Sequence, residues 1–227
     1  MKKFEIIVCA LLSLPKTIYF NFRVFNFKTA IKLPIFIEKS VRLRSIYKYS
    51  VEIKTDKLRP FMIKIGIGGS EAINSSNGIL YLNKHKKGKI IFTGDAKFGK
   101  GIVIYNNSGT ITFGSNFSCN KNCFFSSDKS IIFGNDVLIG WNVKIRDSDG
   151  HLIIYDKCNS SIEDRKSVKI GNHVWICSYV DILKGCVIDD DCVIAYRSLL
   201  TGINAKQNSL IGGLPAKIIK ENISWKK

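Results

Sequence analysis

With 35 Lys and Arg against 18 Asp and Glu in 227 residues, a net charge of +17, the chain is strongly basic. Hydrophobic residues at 45% exclude a largely disordered chain, and 18 glycines with only four prolines exclude a collagen-like or proline-rich filament. The positive surface favours polyanions (nucleic acid, anionic lipid, acidic glycan or a phosphate-rich cofactor) without choosing among them.

The N-terminus opens on Lys2-Lys3 and the apolar run Ile6 to Leu12, the start of a signal-peptide pattern. Glu5 interrupts it, no small-x-small cleavage site follows, and the run is too short to span a bilayer. Seven cysteines, an odd number with no C-x-x-C pair, exclude a fully paired disulfide framework and suggest neither a zinc ribbon nor a thioredoxin-type site. The simplest reading is a cytoplasmic chain, with a membrane-peripheral position left open. Residues 1–60 hold 13 Lys and Arg against four Asp and Glu and alternate aromatics with bases from Ile18 to Phe25. They read as a basic cap covering the open end of a core, with a wet face open to anionic glycan or lipid headgroups.

From about Phe92 the chain repeats every six residues. Ile170, Ile176, Ile182, Ile188, Ile194 and Leu200 are all aliphatic. Four positions after each stand Val174, Val180, Cys186, Cys192, Ser198 and Asn204, of which five are small. The same double pattern recurs upstream at Phe133/Val137, Ile139/Val143, Phe113/Phe117, Cys119/Cys123, Phe92/Ala96 and Phe98/Ile102. A period of six fits neither a helix at 3.6 nor a long half-buried strand at 2. It predicts an all-β parallel solenoid of triangular coils, three hexads to each. Gly99, Gly114, Gly134, Gly140 and Gly171, just after the aliphatic position, are expected to supply turns with positive φ or compact residues. The resulting layout is a basic cap over 1–60, a repeat body over 61–206 and a C-terminal segment over 207–227, the last expected to be helical.

The register breaks once. From Phe133 to Ile170 is 37 residues, where neighbouring coils are spaced 18 to 21. The surplus predicts an excursion over about 147–168 that carries Asp147, Asp149, Gly150 and His151. Loops on rigid scaffolds concentrate function, and an imidazole, titrating ordinarily near about 6.5, can take a proton at neutral pH. An adjacent carboxylate would hold its tautomer. His173 reads as structural, and His85, in the basic turn Asn83 to Lys87, as a solvated residue.

These residues resemble the hexapeptide-repeat acyltransferases, whose repeat is an aliphatic residue, then Gly or a small acid, with a small residue four places on. Asp147-Ser148-Asp149-Gly150-His151 with Ile154-Tyr155-Asp156 is similar to the D-x-D-x-H…I-Y-D loop of the members that acetylate sugars, capsules and O-antigens. Ile170-Gly171-Asn172-His173-Val174-Trp175-Ile176 and Gly213-Leu214-Pro215-Ala216-Lys217 follow in the family's order. Three positions depart from it: Gly150 where a bulkier residue is common, Cys177 in place of Gly, and Leu214 in place of Asn. The resemblance implies left-handed coils, a homotrimer with no metal, and acetyl-CoA as co-substrate. It implies an O-acetyltransferase on a sugar hydroxyl of a surface polysaccharide or its precursor, the acceptor acidic if the basic surface is a guide. By it His151 is the general base, Asp149 its neighbour, and Trp175 a donor beside the thioester. Cys177, Ser178, Ala195 and Thr201 would line the cofactor groove. Lys184, Arg197, Lys206 and Lys217 would meet its phosphates. Other readings of the fold are an N-acetyltransferase on an amino sugar or a non-catalytic solenoid binding acidic glycan. Nucleic acid is a weaker fit, and a zinc anhydrase lacks the paired histidine spacing.

Overall fold

A computed structural model describes residues 3–83, 87–155, 160–162 and 164–226. After the helices α1 (Lys3–Val24) and α2 (Phe27–Ala30) the chain winds through three parallel sheets in strict rotation. The first sheet starts at Ile35–Ile37, the second at Arg42–Arg44 and the third at Val51–Ile53. The second and third sheets each have seven strands, so the body is seven coils. The first has nine, the extra two being Leu210–Gly213 and Ala216–Lys220. This is the expected β-helix, and it begins earlier than the repeat showed. Its first coil lies within residues 35–53, inside the segment read as cap, leaving α1, α2 and their connections as the cap proper. The C-terminal segment, expected to be helical, is instead a strand pair: Ala216–Lys220 runs antiparallel to Leu210–Gly213 and closes the edge of the first sheet.

The six-residue period is the inside of the coil. Phe92, Phe98 and Ile104, their successors Phe113, Cys119 and Phe125, and every later position to Leu200 are buried. On the third sheet Phe92, Phe113 and Phe133 stack face to face, with centroids 5.3 and 5.2 Å apart. Such pairs add about 0.5–1.5 kcal/mol each beyond burial. The small positions Val174, Val180, Cys186, Cys192 and Ser198 fill the corners. Asn204 is exposed, because the last coil turns one residue early and buries Ala205.

Positive φ does not fall on the repeat glycines. It falls three residues after the aliphatic position, at Asn116, Asn122, Asp136, Asn142, His173, Tyr179, Asp191 and Arg197. The glycines serve stacking instead. A Cβ on Gly114 would lie 2.0 Å from the Gly134 carbonyl oxygen, and one on Gly134 would lie 2.6 Å from the Gly171 carbonyl carbon. Any side chain there would hold neighbouring coils apart.

The open edge at Ile35–Ile37 is covered by side chains of α1. Asn21 donates to the Ile35 carbonyl at 2.6 Å and accepts the Ile35 N–H at 3.2 Å. Thr17 accepts the Ile37 N–H at 3.0 Å, and Ser13 the Lys39 N–H at 3.0 Å. Four helical residues rise about 6 Å and two strand residues about 6.6 Å, so the three side chains meet alternate strand residues in turn. Asn21→Leu leaves a buried N–H and C=O of Ile35 unpaired, and the expected loss is about 2–4 kcal/mol. A urea unfolding midpoint unchanged by this substitution would contradict the capping role.

Candidate active site

The excursion starts where the strand Lys144–Arg146 of the second sheet ends and returns to the third sheet at Val168–Ile170. Asp147 roots it. Fully buried, its carboxylate accepts the Ser127 hydroxyl at 2.7 Å and the N–H groups of Asp128 and Lys129 at 2.8 and 3.0 Å. Its carbonyl accepts the Lys166 N–H, and the Asp149 N–H donates to the Asp164 carbonyl, each at 2.9 Å. A bridge between Ser148 and Arg165 joins the same stems. Gly150, at φ +84°, then turns the chain, and His151 follows, exposed. Among the described residues His151 makes no hydrogen bond or ion pair, so its imidazole is open to a molecule arriving from outside.

Neither flanking acid holds that imidazole. Asp147 is committed to the turn of the preceding coil. Asp149, expected beside the base, lies 2.5 Å from Lys184 Nζ, with the lysine side chain 16% exposed. Lys184, expected on a phosphate, belongs to the next coil, so the pair fastens the excursion to the coil that follows it. Asp149 is thereby an anchor of the excursion.

Trp175 is half-exposed on the first sheet, its ring 5.8 Å from that of Trp225. The excursion of His151 leaves from the edge between the second and third sheets. One chain therefore does not bring Trp175 to His151. His173 is structural, as its sequence position suggested: Nδ1 lies 2.8 Å from Asp191 Oδ1, its ring stacks on Trp225 at 4.1 Å, and the Trp225 indole N–H donates to its carbonyl at 2.9 Å. Trp225, which fastens the C-terminus to the sixth coil, carried no periodic signal. His85 lies outside the described residues.

Along the corner between the first and second sheets, Gly140, Cys177, Ala195 and Gly212 form one column over successive coils. A Cβ on Gly140 would lie 2.5 Å from Ser178 Oγ, which already accepts the Trp141 N–H at 3.1 Å. Ser178 is thus turned to the coil beneath it, and burial pushes the Cys177 thiol up, away from the reactive thiolate. Beside this column runs a groove of about 430 Å³. Asn122, Asn142, Tyr179 and Arg197 stand along it at successive corners, with Leu199 from the second sheet and Leu214 at one end. Leu214, noted only as a departure from the family motif, therefore has a place in the wall. The four expected phosphate partners do not converge in one chain: Arg197 lines the groove, Lys184 holds Asp149, Lys206 follows the last third-sheet strand and Lys217 sits on the edge strand of the first sheet. Thr201 is exposed, just past the strand Leu199–Leu200. A second cavity, of about 350 Å³ beneath α1, contains none of the expected site residues. Among the described residues no group of three His, Cys, Asp or Glu is placed to hold a metal ion.

Comparison with known proteins places this geometry. The family described as bacterial transferase hexapeptide (six repeats) matches residues 167–202, the strands just after the excursion. The galactoside O-acetyltransferase of Escherichia coli K12 is 31% identical over 119 residues, 52% of this chain and 58% of that enzyme. The chain thus spans under two thirds of that relative's length. An uncharacterized 24.8 kDa protein in the cps region of Klebsiella pneumoniae is 29% identical over 210 residues, 90% of this chain and 86% of that protein. The crystal structure of the polySia-specific acetyltransferase NeuO superposes with a TM-score of 0.53 at 24% identity, covering 82% of this chain and 76% of that one. That likeness shows a shared fold.

The His173 fastening has a pH signature. The His173 ring, then the Gln207 amide, hold the Asp191 carboxyl below the usual aspartate range. A depressed folded-state value gives stability that is present above the unfolded-state value and lost as pH falls through the folded one. Asp191→Asn should therefore lower the thermal midpoint at neutral pH and flatten the decline below about pH 4. An acid limb identical in variant and wild type would contradict the assignment.

Proposed function

From the premise that this chain is a hexapeptide-repeat β-helix protein, we propose that it is an acetyl-CoA-dependent O-acetyltransferase acting on a sugar hydroxyl of a surface polysaccharide or its precursor. The observation that carries the reading is His151: an imidazole with no hydrogen-bond or ion-pair partner among the described residues, on an excursion tied to the coils before and after it. The relatives support the acceptor class, one being a galactoside O-acetyltransferase, one polySia-specific, and one from a cps region.

His151 takes the proton of the acceptor hydroxyl as its oxygen attacks the thioester carbonyl carbon. The carbon–sulfur bond then breaks, the proton passes to the departing CoA sulfur, and the acetyl ester remains on the sugar. The groove beside Ala195 and Arg197 suits a thin pantetheine arm, its corner backbone presenting polar groups and Arg197 a cation for phosphate. The indole N–H of Trp175, which has no hydrogen-bond partner among the described residues, is the proposed donor to the developing oxyanion. Groove, Trp175 and His151 lie on different edges of one chain, so the proposed enzyme is a homotrimer in which neighbouring copies complete each site.

His151→Ala should lower kcat by about 10² to 10⁴ while keeping the fold and acetyl-CoA binding. A variant that still acetylates within tenfold of wild type would sink the assignment. Light scattering should find three chains of 25.5 kDa per particle. A stable, active monomer would contradict the shared site.

A further inference from the structure

Helix α1 buries Phe20 and Val24 at its end, but along the rest of its length it is amphipathic in the reverse of the usual sense. A surface helix normally turns its apolar stripe to the core and its polar face to water. Here Ser13, Thr17 and Asn21 face inward, fully buried, and bond the backbone of the first coil. The outward stripe is Ile7, Leu11, Ile18 and Phe22, one face at i, i+4, i+11 and i+15, flanked by Leu12 and Tyr19. All six are exposed, Ile7, Leu11, Leu12 and Tyr19 by more than half. The stripe continues into α2, where the Phe27 ring packs edge-on against Phe22 with centroids 5.9 Å apart and is itself 70% exposed. A continuous apolar surface of this kind marks a docking face.

Its rim is cationic. Between Phe22 and Lys48 the chain carries seven Lys and Arg and a single acid, Glu38. The bases are all exposed; Glu38 is 4% exposed and bonded to Ser40 and Cys9. We infer that α1 and α2 are an interfacial anchor that seats the start of the solenoid on an anionic lipid bilayer. Apolar and aromatic side chains enter the acyl boundary while the basic rim meets lipid phosphates.

Two alternatives conflict with the same residues. The segment Ile7–Val24 is long and apolar enough to cross a membrane. Crossing would strip Ser13, Thr17 and Asn21 from the strand they cap, orphaning backbone groups and placing three polar side chains in hydrocarbon. The helix therefore lies in the interface plane. Packing of two copies through this face would set the cationic rim against itself about a symmetry axis, with no exposed acid between Phe22 and Lys48 to relieve it. The inference stands whether or not acyl transfer is the activity.

Co-sedimentation of the full chain with vesicles tests it. Vesicles of phosphatidylcholine and phosphatidylglycerol in equal parts should bind at least about tenfold more tightly than phosphatidylcholine alone, and added salt should weaken the binding. Leu11→Ser/Phe22→Ser/Phe27→Ser, all on the outward face, should cost at least about tenfold in binding with an unchanged circular dichroism spectrum and particle mass. Lys28→Glu/Lys32→Glu should erase the preference for the anionic vesicles. A wild-type chain that stays in the supernatant with both vesicle types would overturn the proposal. So would a triple-serine variant that binds as well as wild type, or one that alters the particle mass while vesicle binding persists, since the face would then join copies of the chain.

Discussion

The structure depends on one constraint: every coil must offer the next an unbroken ladder of backbone hydrogen bonds on three sides at once. Parallel strands stacked at about 4.8 Å bring neighbouring coils close at the corners, and at Gly114, Gly134 and Gly140 a side chain would collide with the next coil. The same constraint decides where function can be placed. Extra residues cannot be absorbed within a side, so the chain between Arg146 and Val168 is expelled at one corner and must be tied back. Asp147 ties it to the preceding coil and Asp149, through Lys184, to the following one. His151 lies two residues past Asp149, and the rigidity of its position is borrowed from both neighbouring coils.

A solenoid also has two raw ends, each a row of unpaired backbone groups inviting aggregation. This chain closes them by different means. At the start, side chains of α1 satisfy the backbone of Ile35 and Ile37, which forces the polar face of the helix inward and leaves its apolar face outward. At the finish the strand Ala216–Lys220 turns antiparallel onto Leu210–Gly213, and Trp225 is fastened over His173. The exposed apolar face of α1 is thus a direct consequence of how the first edge is capped.

How much of this could be read beforehand follows from what each side chain faces. The coil interior was legible because Phe92 through Leu200 obey one period, and the excursion was legible because a strict repeat makes a surplus countable. The first coil was not, since its strands at Ile35, Arg42 and Val51 are unevenly spaced and Arg42–Arg44 is mostly wet. Helix α1 escaped notice because a polar buried face gives no apolar periodicity, and Pro15 stands inside it. The partners of the loop acids were illegible for another reason. Asp147 meets residues 127–129 and Asp149 meets Lys184 through coil-to-coil register, which a period within the chain does not specify.

The central claim, that each reacting centre joins the excursion of one copy to the groove of another, is tested most directly by complementation. His151→Ala removes the proposed base, and Leu199→Trp fills the groove from an outward-facing strand position without entering the core. Each variant alone should be nearly inactive with acetyl-CoA and a saccharide acceptor. Refolded together in equal amounts, they should regain about a quarter of the wild-type rate, because random closed rings place an intact base against an intact groove at that fraction of their interfaces. A mixture as inactive as its components would contradict the shared site.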